Sequence, residues 1–199
     1  VDVIRDTTEH SLMSMAGLDE EDDTFAPIIK TARRRALWLG VNSMMAILAS
    51  LVIYLFQETL EQVVYLAVLM PIIANMGGVA GTQTLTLIVR GIALGHINAS
   101  NSRWLLFREL GVASINGLIW ASFISIIAFL WYQDLQLSYI VAAAMLINLT
   151  TGGLAGAYLP LFLRKINVDP ALAGSVLLTT ITDSIGFFAF LGLAQVFYL

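Results

Sequence analysis

Five apolar segments, each long enough to cross the hydrocarbon core of a bilayer, take up most of the 199-residue sequence. A helix needs about 20 mainly apolar residues for that crossing. The residues are 58% hydrophobic and 12% charged, far more apolar than those of a soluble domain. The segments are also too long and too uniformly apolar for barrel strands. We therefore predict an all-α membrane protein with five transmembrane helices, at roughly 36–56, 62–89, 105–132, 137–163 and 171–198.

Basic residues are concentrated at alternate connections between these segments. The connections "QETLEQ" and "YQDLQLSY" contain no Lys or Arg. By the positive-inside rule, the N-terminus is predicted to be cytoplasmic and the C-terminus to lie outside. The basic residues of the cytoplasmic side are Lys30, Arg33, Arg34 and Arg35 before the first span, Arg90, Arg103 and Arg108 around the second connection, and Arg164 and Lys165 in the fourth.

The fifth segment carries a polar stripe that includes a carboxylate. Steps of three and four residues return to one face of a helix, so the stripe predicts one polar face. An ionised group at the centre of a membrane helix costs about 2.5–3.5 kcal/mol and normally faces water, an ion or an opposite charge. A neutral carboxyl group bonded to Thr or Asn is the alternative, because burial favours the protonated form. The stripe consists of Ser175, Thr179, Thr182, Asp183 and Gly186.

The second and fourth segments carry comparable polar stripes. The second has Asn75, Gly78, Thr82 and Thr86, with Gln83 beside them, and the fourth has Asn148, Thr151, Gly152 and Ala155 in a weaker pattern. Such hydroxyls and amides either join helices to one another or line a site. Mg²⁺ dehydrates reluctantly, so a wide site whose polar groups bond to its waters would suit it. If two subunits pack with their fifth spans at the axis, two copies of Asp183 would balance one divalent ion.

The second and fourth segments also share a glycine pattern, "GGVAGTQTLTLIVR" (77–90) and "GGLAGAYLPLFLR" (152–164). Two interpretations are open. Both segments run in the same direction, so the pattern fits a parallel internal repeat of the kind common in transporters. It also fits two independent faces of small residues, Gly77/Gly81 and Gly152/Gly156, through which helices approach closely.

Enzymatic chemistry is not expected from this sequence. An intramembrane aspartyl protease needs two facing acids, and only Asp183 stands out at depth in one chain. A serine hydrolase needs a base, and neither His10 nor His96 is at depth. With no cysteine, the chain forms neither disulfides nor thiolate metal sites.

Three motifs resemble the membrane domain of the MgtE family of magnesium channels and transporters. They are "PIIANMGGVAGTQTLTLIVRGIALG" (71–95), "LFLRKINVDPAL" (161–172) and "LLTTITDSIGFF" (177–188), within a likeness that covers essentially the whole chain. The resemblance implies a homodimer with an axial pore lined by the second and fifth spans of each subunit. It also implies residues 1–31 as a cytoplasmic connecting, plug-like helix with an acidic loop at 19–23, and residues 32–199 as the five-helix pore domain.

The resemblance also assigns residues to cation binding. The pore aspartate of the family, which holds a hydrated Mg²⁺, falls on Asp183, and a regulatory Mg²⁺ acid falls on Asp169. Asp6 or Glu9 would match the regulatory acids of the plug helix. The family usually reads GGN in the second helix where this chain has Val79, which argues against a pore-lining role for position 79.

Simpler roles are also open for the three regulatory residues. Asp6 and Glu9 fit a capping pair, and Asp169 precedes Pro170 where a helix N-cap belongs. Closure at high cytosolic Mg²⁺ would depend on a CBS-type cytosolic domain that this sequence lacks. We expect the chain to begin inside a longer protein.

The leading functional hypothesis is Mg²⁺ permeation with the hydrated ion at Asp183 and its waters bonded to Thr179 and Thr182. Asn75, Gly78, Thr82, Gln83, Ser175 and Gly186 complete the predicted pore lining. The alternative is a proton- or sodium-coupled carrier of another divalent cation in which Asp183 titrates. The expected partners are a second copy of the chain, the lipid bilayer and the cytosolic CBS-type domain, with no nucleic acid. The expected location is the plasma membrane of a bacterium.

Overall fold

The computed structural model describes Met13 and residues 27–98 and 100–199, apart from the side chains of Arg34 and Leu172. Within these residues there is no strand, and six helices follow one another. Five of them are long and apolar enough to cross a membrane. The prediction of an all-α protein with five spans is therefore confirmed. The helices are α1 (Ile28–Leu55), α2 (Gln57–Gln62), α3 (Leu66–Ala93), α4 (Ser102–Tyr132), α5 (Leu135–Lys165) and α6 (Pro170–Tyr198).

The observed helices extend beyond several of the predicted spans. α4, α5 and α6 begin and end close to the predicted limits, whereas α1 begins at Ile28 rather than near residue 36. A hydropathy argument finds the part of a helix that lies in hydrocarbon, and the hydrogen-bonded backbone continues past it. The connection at 57–62 is itself the short helix α2. The acidic run at 19–23 lies outside the described residues.

Aspartates begin two of the long helices. The Asp134 side chain accepts a hydrogen bond from the backbone N–H of Leu137 at 3.0 Å, which caps α5. Asp169 accepts from the N–H of Ala171 at 2.9 Å and caps α6, with Pro170 as the first helical residue. These bonds satisfy backbone donors that have no partner within the helix. The capping role considered for Asp169 from sequence is therefore present.

α5 is the central helix of the bundle. It packs against α3, α4 and α6, while α3 also packs against α6. α1 lies at the edge, where it packs mainly on α6. The largest buried side chains come mostly from α3, α5 and α6, so the core forms where these three helices meet. They include Leu66, Leu69, Ile73, Leu137, Met145, Leu178, Phe190 and Leu191.

Glycines bring α3 and α5 into backbone contact. A Cβ built on Gly152 would lie 2.4 Å from the carbonyl oxygen of Gly77, and one on Gly156 would lie 2.4 Å from that of Gly81. The two pairs meet in the same order along both helices, so α3 and α5 run parallel. The two small-residue faces, which one interpretation of the sequence treated as independent, thus meet in a single interface. Close approach of the two helices explains the glycines whether or not the segments form a repeat.

Candidate functional site

A cavity of about 510 Å³ lies between α3 and α6 and is open on one side in the single chain. Its walls combine one carboxylate, hydroxyls and amides with small apolar groups. Six residues that the sequence analysis placed in the predicted pore lie here, four of them on α3 and two, Thr179 and Asp183, on α6. The residues that line the cavity are Ala74, Asn75, Gly78, Val79, Thr82, Gln83, Thr179 and Asp183.

The α3 wall follows from helical spacing and from the glycines behind it. Asn75, Gly78 and Thr82 are three and four residues apart and therefore share a face of α3. Gly77 and Gly81 point the other way and hold α3 against α5. Because Gly77 and Gly81 belong to the buried face of α3, its polar face is left to line the cavity.

Val79 also lines the cavity, with 47% of its surface exposed. The sequence argument against a pore-lining role for position 79 concerns an ion path, so it stays a prediction, while in the single chain Val79 faces the cavity. Position 79 lies one residue after Gly78 and four before Gln83, both of which line the same cavity. The direction in which a helical side chain points depends on its position in the helix and not on its polarity. An apolar side chain at position 79 therefore faces the cavity as a polar one would.

Asp183 is the carboxylate of this cavity, and it is only partly buried. None of the described Lys or Arg residues forms an ion pair with it. No group of three or more His, Cys, Asp and Glu residues that could hold a metal occurs in the described part of the chain. The cavity thus offers one charged ligand with several neutral polar groups around it.

On α6, Thr179 lies beside Asp183 in the cavity, one helical turn earlier. Its hydroxyl donates to the carbonyl of Ser175 at 3.1 Å, which leaves the oxygen able to accept further hydrogen bonds. Thr182 is fully buried and donates to the carbonyls of Leu178 and Thr179, each at 3.1 Å. The predicted bond between Thr182 and an ion's water is not supported by this placement.

Ser175 and Gly186 do not line the cavity in the described chain. Ser175 is half-buried one turn before Thr179, and its carbonyl accepts the Thr179 hydroxyl. Gly186 is buried, and a Cβ there would lie 2.7 Å from the Nδ2 atom of Asn148. Both residues share the polar stripe of α6 with Asp183, but around the helix they lie between Thr179 and the buried Thr182.

A second buried carboxylate lies in the membrane region, and the sequence analysis missed it. Glu109 is 4% exposed on α4, where it forms an ion pair with Arg108 and accepts from the Thr84 hydroxyl at 3.3 Å. The sequence analysis therefore overlooked a buried acid within a predicted span. The signal was present, because residues 108 and 109 fall inside the predicted third span. The neighbouring Arg and Glu neutralise one another, unlike the isolated Asp183.

The regulatory acids are only partly described. Asp6 and Glu9 lie outside the described residues. Asp169 lies at the start of α6, away from the cavity that Asp183 lines. Its carboxylate caps the helix, and its predicted metal role stays a prediction.

The geometry suits a hydrated ion better than a bare one. Mg–O distances of about 2.1 Å and a water radius of about 1.4 Å give a hexahydrated ion about 7 Å across, a sphere of roughly 180 Å³. The cavity has room for that volume. One carboxylate and several neutral groups are a poor cage for a bare divalent ion, but they can accept or donate hydrogen bonds to its waters.

Comparison with known proteins points to a divalent cation, as the geometry of the cavity does. The family model MgtE, described as a divalent cation transporter, matches residues 70–193. The chain is 32% identical over 196 residues to the magnesium transporter MgtE of Bacillus subtilis, covering 98% of this chain and 43% of the relative. It is 28% identical to the magnesium transporter MgtE of Enterococcus faecalis, covering 99% and 43%. For the protein of the same name from Thermus thermophilus the identity is 30%, covering 81% and 36%.

Proposed function

Because the chain belongs to the MgtE family of divalent cation transporters, we propose that it carries Mg²⁺ across the membrane through the cavity between α3 and α6. The observation that carries the proposal is Asp183, a carboxylate without an ion-pair partner among the described residues, in a cavity of about 510 Å³ between membrane helices that also presents hydroxyl and amide groups. The chain spans 43% of the length of the first two relatives, whose printed name is magnesium transporter. Their activity supports Mg²⁺ as the transported ion.

The open side of the cavity supports a homodimer. A cation path must be enclosed, because lipid cannot solvate an ion or its waters. A second copy related by a two-fold axis would face the first cavity with an identical one. Two Asp183 carboxylates would then balance the two charges of Mg²⁺, and the axis would run along the ion path.

The ion would remain hydrated, with direct charge compensation from Asp183 and hydrogen bonds between its waters and the walls. Thr179, Thr82, Asn75 and Gln83 supply those hydrogen bonds. Conduction requires a site that attracts the ion but also releases it. A single carboxylate per chain, without a dense cluster of acids, meets that requirement.

The test is Mg²⁺ uptake into liposomes containing the purified protein, followed with an internal indicator. We expect Asp183→Asn, which keeps the size and removes the charge, to lose nearly all uptake. Glu58→Gln is the matched control because it removes an exposed carboxylate that does not line this cavity, and uptake should be retained. Full uptake by correctly folded Asp183→Asn would refute the assignment.

The same assay separates permeation from coupled transport. Asp183 is partly buried without a counter-charge from the described residues, so it could also bind and release a proton during transport. A proton- or sodium-coupled carrier would lose uptake when both gradients are collapsed. A channel would continue to pass Mg²⁺ down its own gradient, which is the result we expect.

We also propose a cytoplasmic N-terminus, a C-terminus outside, and residence in a bacterial plasma membrane. The connections rich in Lys and Arg support this orientation. Regulatory Mg²⁺ would bind at Asp169 with Asp6 or Glu9, together with a CBS-type domain of a longer chain. Single cysteines are readily interpreted in a cysteine-free chain, so labelling a cysteine at position 96 and one at position 58 from either side of the membrane tests the orientation.

A further inference from the structure

Asn148 lies at the centre of the bundle, directly behind the cavity. It is fully buried on α5, and its Nδ2 donates to the carbonyl of Ile73 on α3 at 2.7 Å. Its Oδ1 is buried without a hydrogen-bond partner among the described residues. Buried amides are normally satisfied, so a half-satisfied one is a costly way to fill a core position. This position therefore calls for a role other than filling space.

The amide occupies the space that side chains would take on two neighbouring helices. A Cβ on Gly77 of α3 would lie 2.3 Å from Nδ2, and one on Gly186 of α6 would lie 2.7 Å from the same atom. Asn148 is thus held between two glycines on the two helices that form the cavity walls. At this level the amide group fixes how closely α3 and α6 approach.

The residues that Asn148 touches are adjacent in sequence to the cavity lining. Ile73 precedes Ala74 and Asn75, and Gly77 precedes Gly78, all three of which line the cavity. Gly186 follows Asp183 by three residues, less than one helical turn. A shift of the amide would therefore move the α3 wall relative to the Asp183 carboxylate.

We propose that Asn148 is a positioning residue that sets the separation of Asp183 from the α3 wall and thereby the preference for Mg²⁺ over larger divalent cations. The proposal rests on the proposed function of the same cavity. Mg²⁺ holds oxygen ligands at about 2.0–2.1 Å and keeps its waters, whereas Ca²⁺ takes ligands at about 2.3–2.6 Å with flexible geometry. A wall spacing matched to the waters of one ion discriminates against the other, and a looser spacing discriminates less.

The first test compares uptake of Mg²⁺ and Ca²⁺ by the protein reconstituted in liposomes. Asn148→Leu keeps a side chain of similar volume but removes the hydrogen bond to Ile73. Asn148→Ala removes the amide group that lies between Gly77 and Gly186. We expect the ratio of Mg²⁺ to Ca²⁺ uptake to fall by at least about fivefold in both, the low end of what a displaced contact costs a selective site. Thr59→Val is the matched control, because it also removes a fully buried oxygen, here a hydroxyl, that has no hydrogen-bond partner among the described residues and lies on α2 outside the cavity. Its ratio should not change.

A second test uses the glycine contact and does not require Asn148 variants to be stable alone. Gly77→Ala should reduce Mg²⁺ uptake and the ratio, because the new Cβ displaces the Asn148 amide. Adding Asn148→Ala removes the group that is hit, so the double variant should recover Mg²⁺ uptake, while its ratio should stay low as in Asn148→Ala. Gly81→Ala serves as the control, since its Cβ would meet Leu178 and the carbonyl of Gly152. Asn148→Ala should not rescue it, as expected for sites that share no contact.

A distance measurement separates the failure of this proposal from that of the proposed function. Spin labels at Val79→Cys and Thr179→Cys report the cavity width in a chain with no other cysteine, and single-label samples identify distances between subunits. We expect Asn148→Ala to shift or broaden the distance. If the wild type carries Mg²⁺ but the ratio or the distance is unchanged in the Asn148 variants, the positioning role is overturned. If the wild type carries no Mg²⁺, the proposed function fails and the selectivity role fails with it, while a shifted distance still shows that Asn148 fixes the width.

Discussion

At the scale of single residues, the polar stripe of α6 separates into a cavity side and a packing side. Thr179 and Asp183 are four residues apart, about 40° around the helix, whereas Thr182 and Asp183 differ by about 100°. The sequence predicts the stripe but not which of its margins faces the cavity, because the neighbouring helices decide that. Here α6 turns Thr179 and Asp183 into the cavity and buries Thr182.

This division predicts different effects for two matched threonine substitutions. Thr179→Val should lower Mg²⁺ uptake about fivefold, because one hydrogen bond to an ion-bound water contributes on the order of 1 kcal/mol. Thr182→Val has the same shape change, but its hydroxyl bonds only to the backbone of α6 among the described residues. Uptake by the Thr182 variant should stay close to that of the wild type. Equal losses in liposome assays of the two variants would show that Thr182 also contacts the ion's waters.

At the scale of helices, the number and the type of elements could be predicted from hydropathy and length. The parallel contact of α3 and α5 was not among the sequence alternatives, because glycine spacing gives a face but not its partner. Two features remained hidden. The helical form of residues 57–62 gives no apolar pattern, and Glu109 was masked by its neighbour Arg108 within an apolar segment. In each case the hydropathy average of the segment conceals what individual residues do.

The glycine contact predicts a large difference between two Gly→Ala substitutions. A Cβ at Gly156 would lie 2.4 Å from the carbonyl oxygen of Gly81, a backbone atom that cannot move aside alone. Gly156→Ala should therefore destabilise the bundle by about 1–3 kcal/mol, the usual cost of overpacking. Gly111→Ala on α4 is the matched control, because nothing lies within 4 Å of its new Cβ. Thermal unfolding in detergent should show a lower melting temperature for the first variant and an equal or higher one for the second.

At the scale of the whole molecule, a polar cluster ties three helices together at one end of the bundle. The Asp134 carboxylate accepts hydrogen bonds from the hydroxyls of Tyr65, at 3.1 Å, and Tyr198. Tyr65 precedes α3, Asp134 caps α5 and Tyr198 ends α6, so the cluster joins the helices of the cavity to the central helix. Tyr132 stacks on Tyr65 with ring centroids 4.9 Å apart, which adds the end of α4.

The cluster makes the stability of the bundle depend on acid pH. Burial alone would raise the pKa of Asp134, but the hydrogen bonds from Tyr198, the Leu137 N–H and Tyr65 outweigh it and hold that pKa below its usual value. The unfolded chain therefore binds the proton first as the pH falls. The stabilisation from the ionised carboxylate is present above about pH 4 and is lost as the pH drops below that value through the lower pKa of the folded state.

Comparison with Asp134→Asn isolates this contribution. Asn can still cap α5 and accept from a tyrosine hydroxyl, but it carries no charge and does not titrate. The variant should be less stable than the wild type at about pH 6, and the difference should be smaller at about pH 3, because the wild type loses its advantage as the pH falls below about 4. Thermal unfolding in detergent at the two pH values measures both differences. Parallel losses of stability in the two proteins would mean that the acid sensitivity resides in another carboxylate, because a group that does not titrate cannot contribute to the slope.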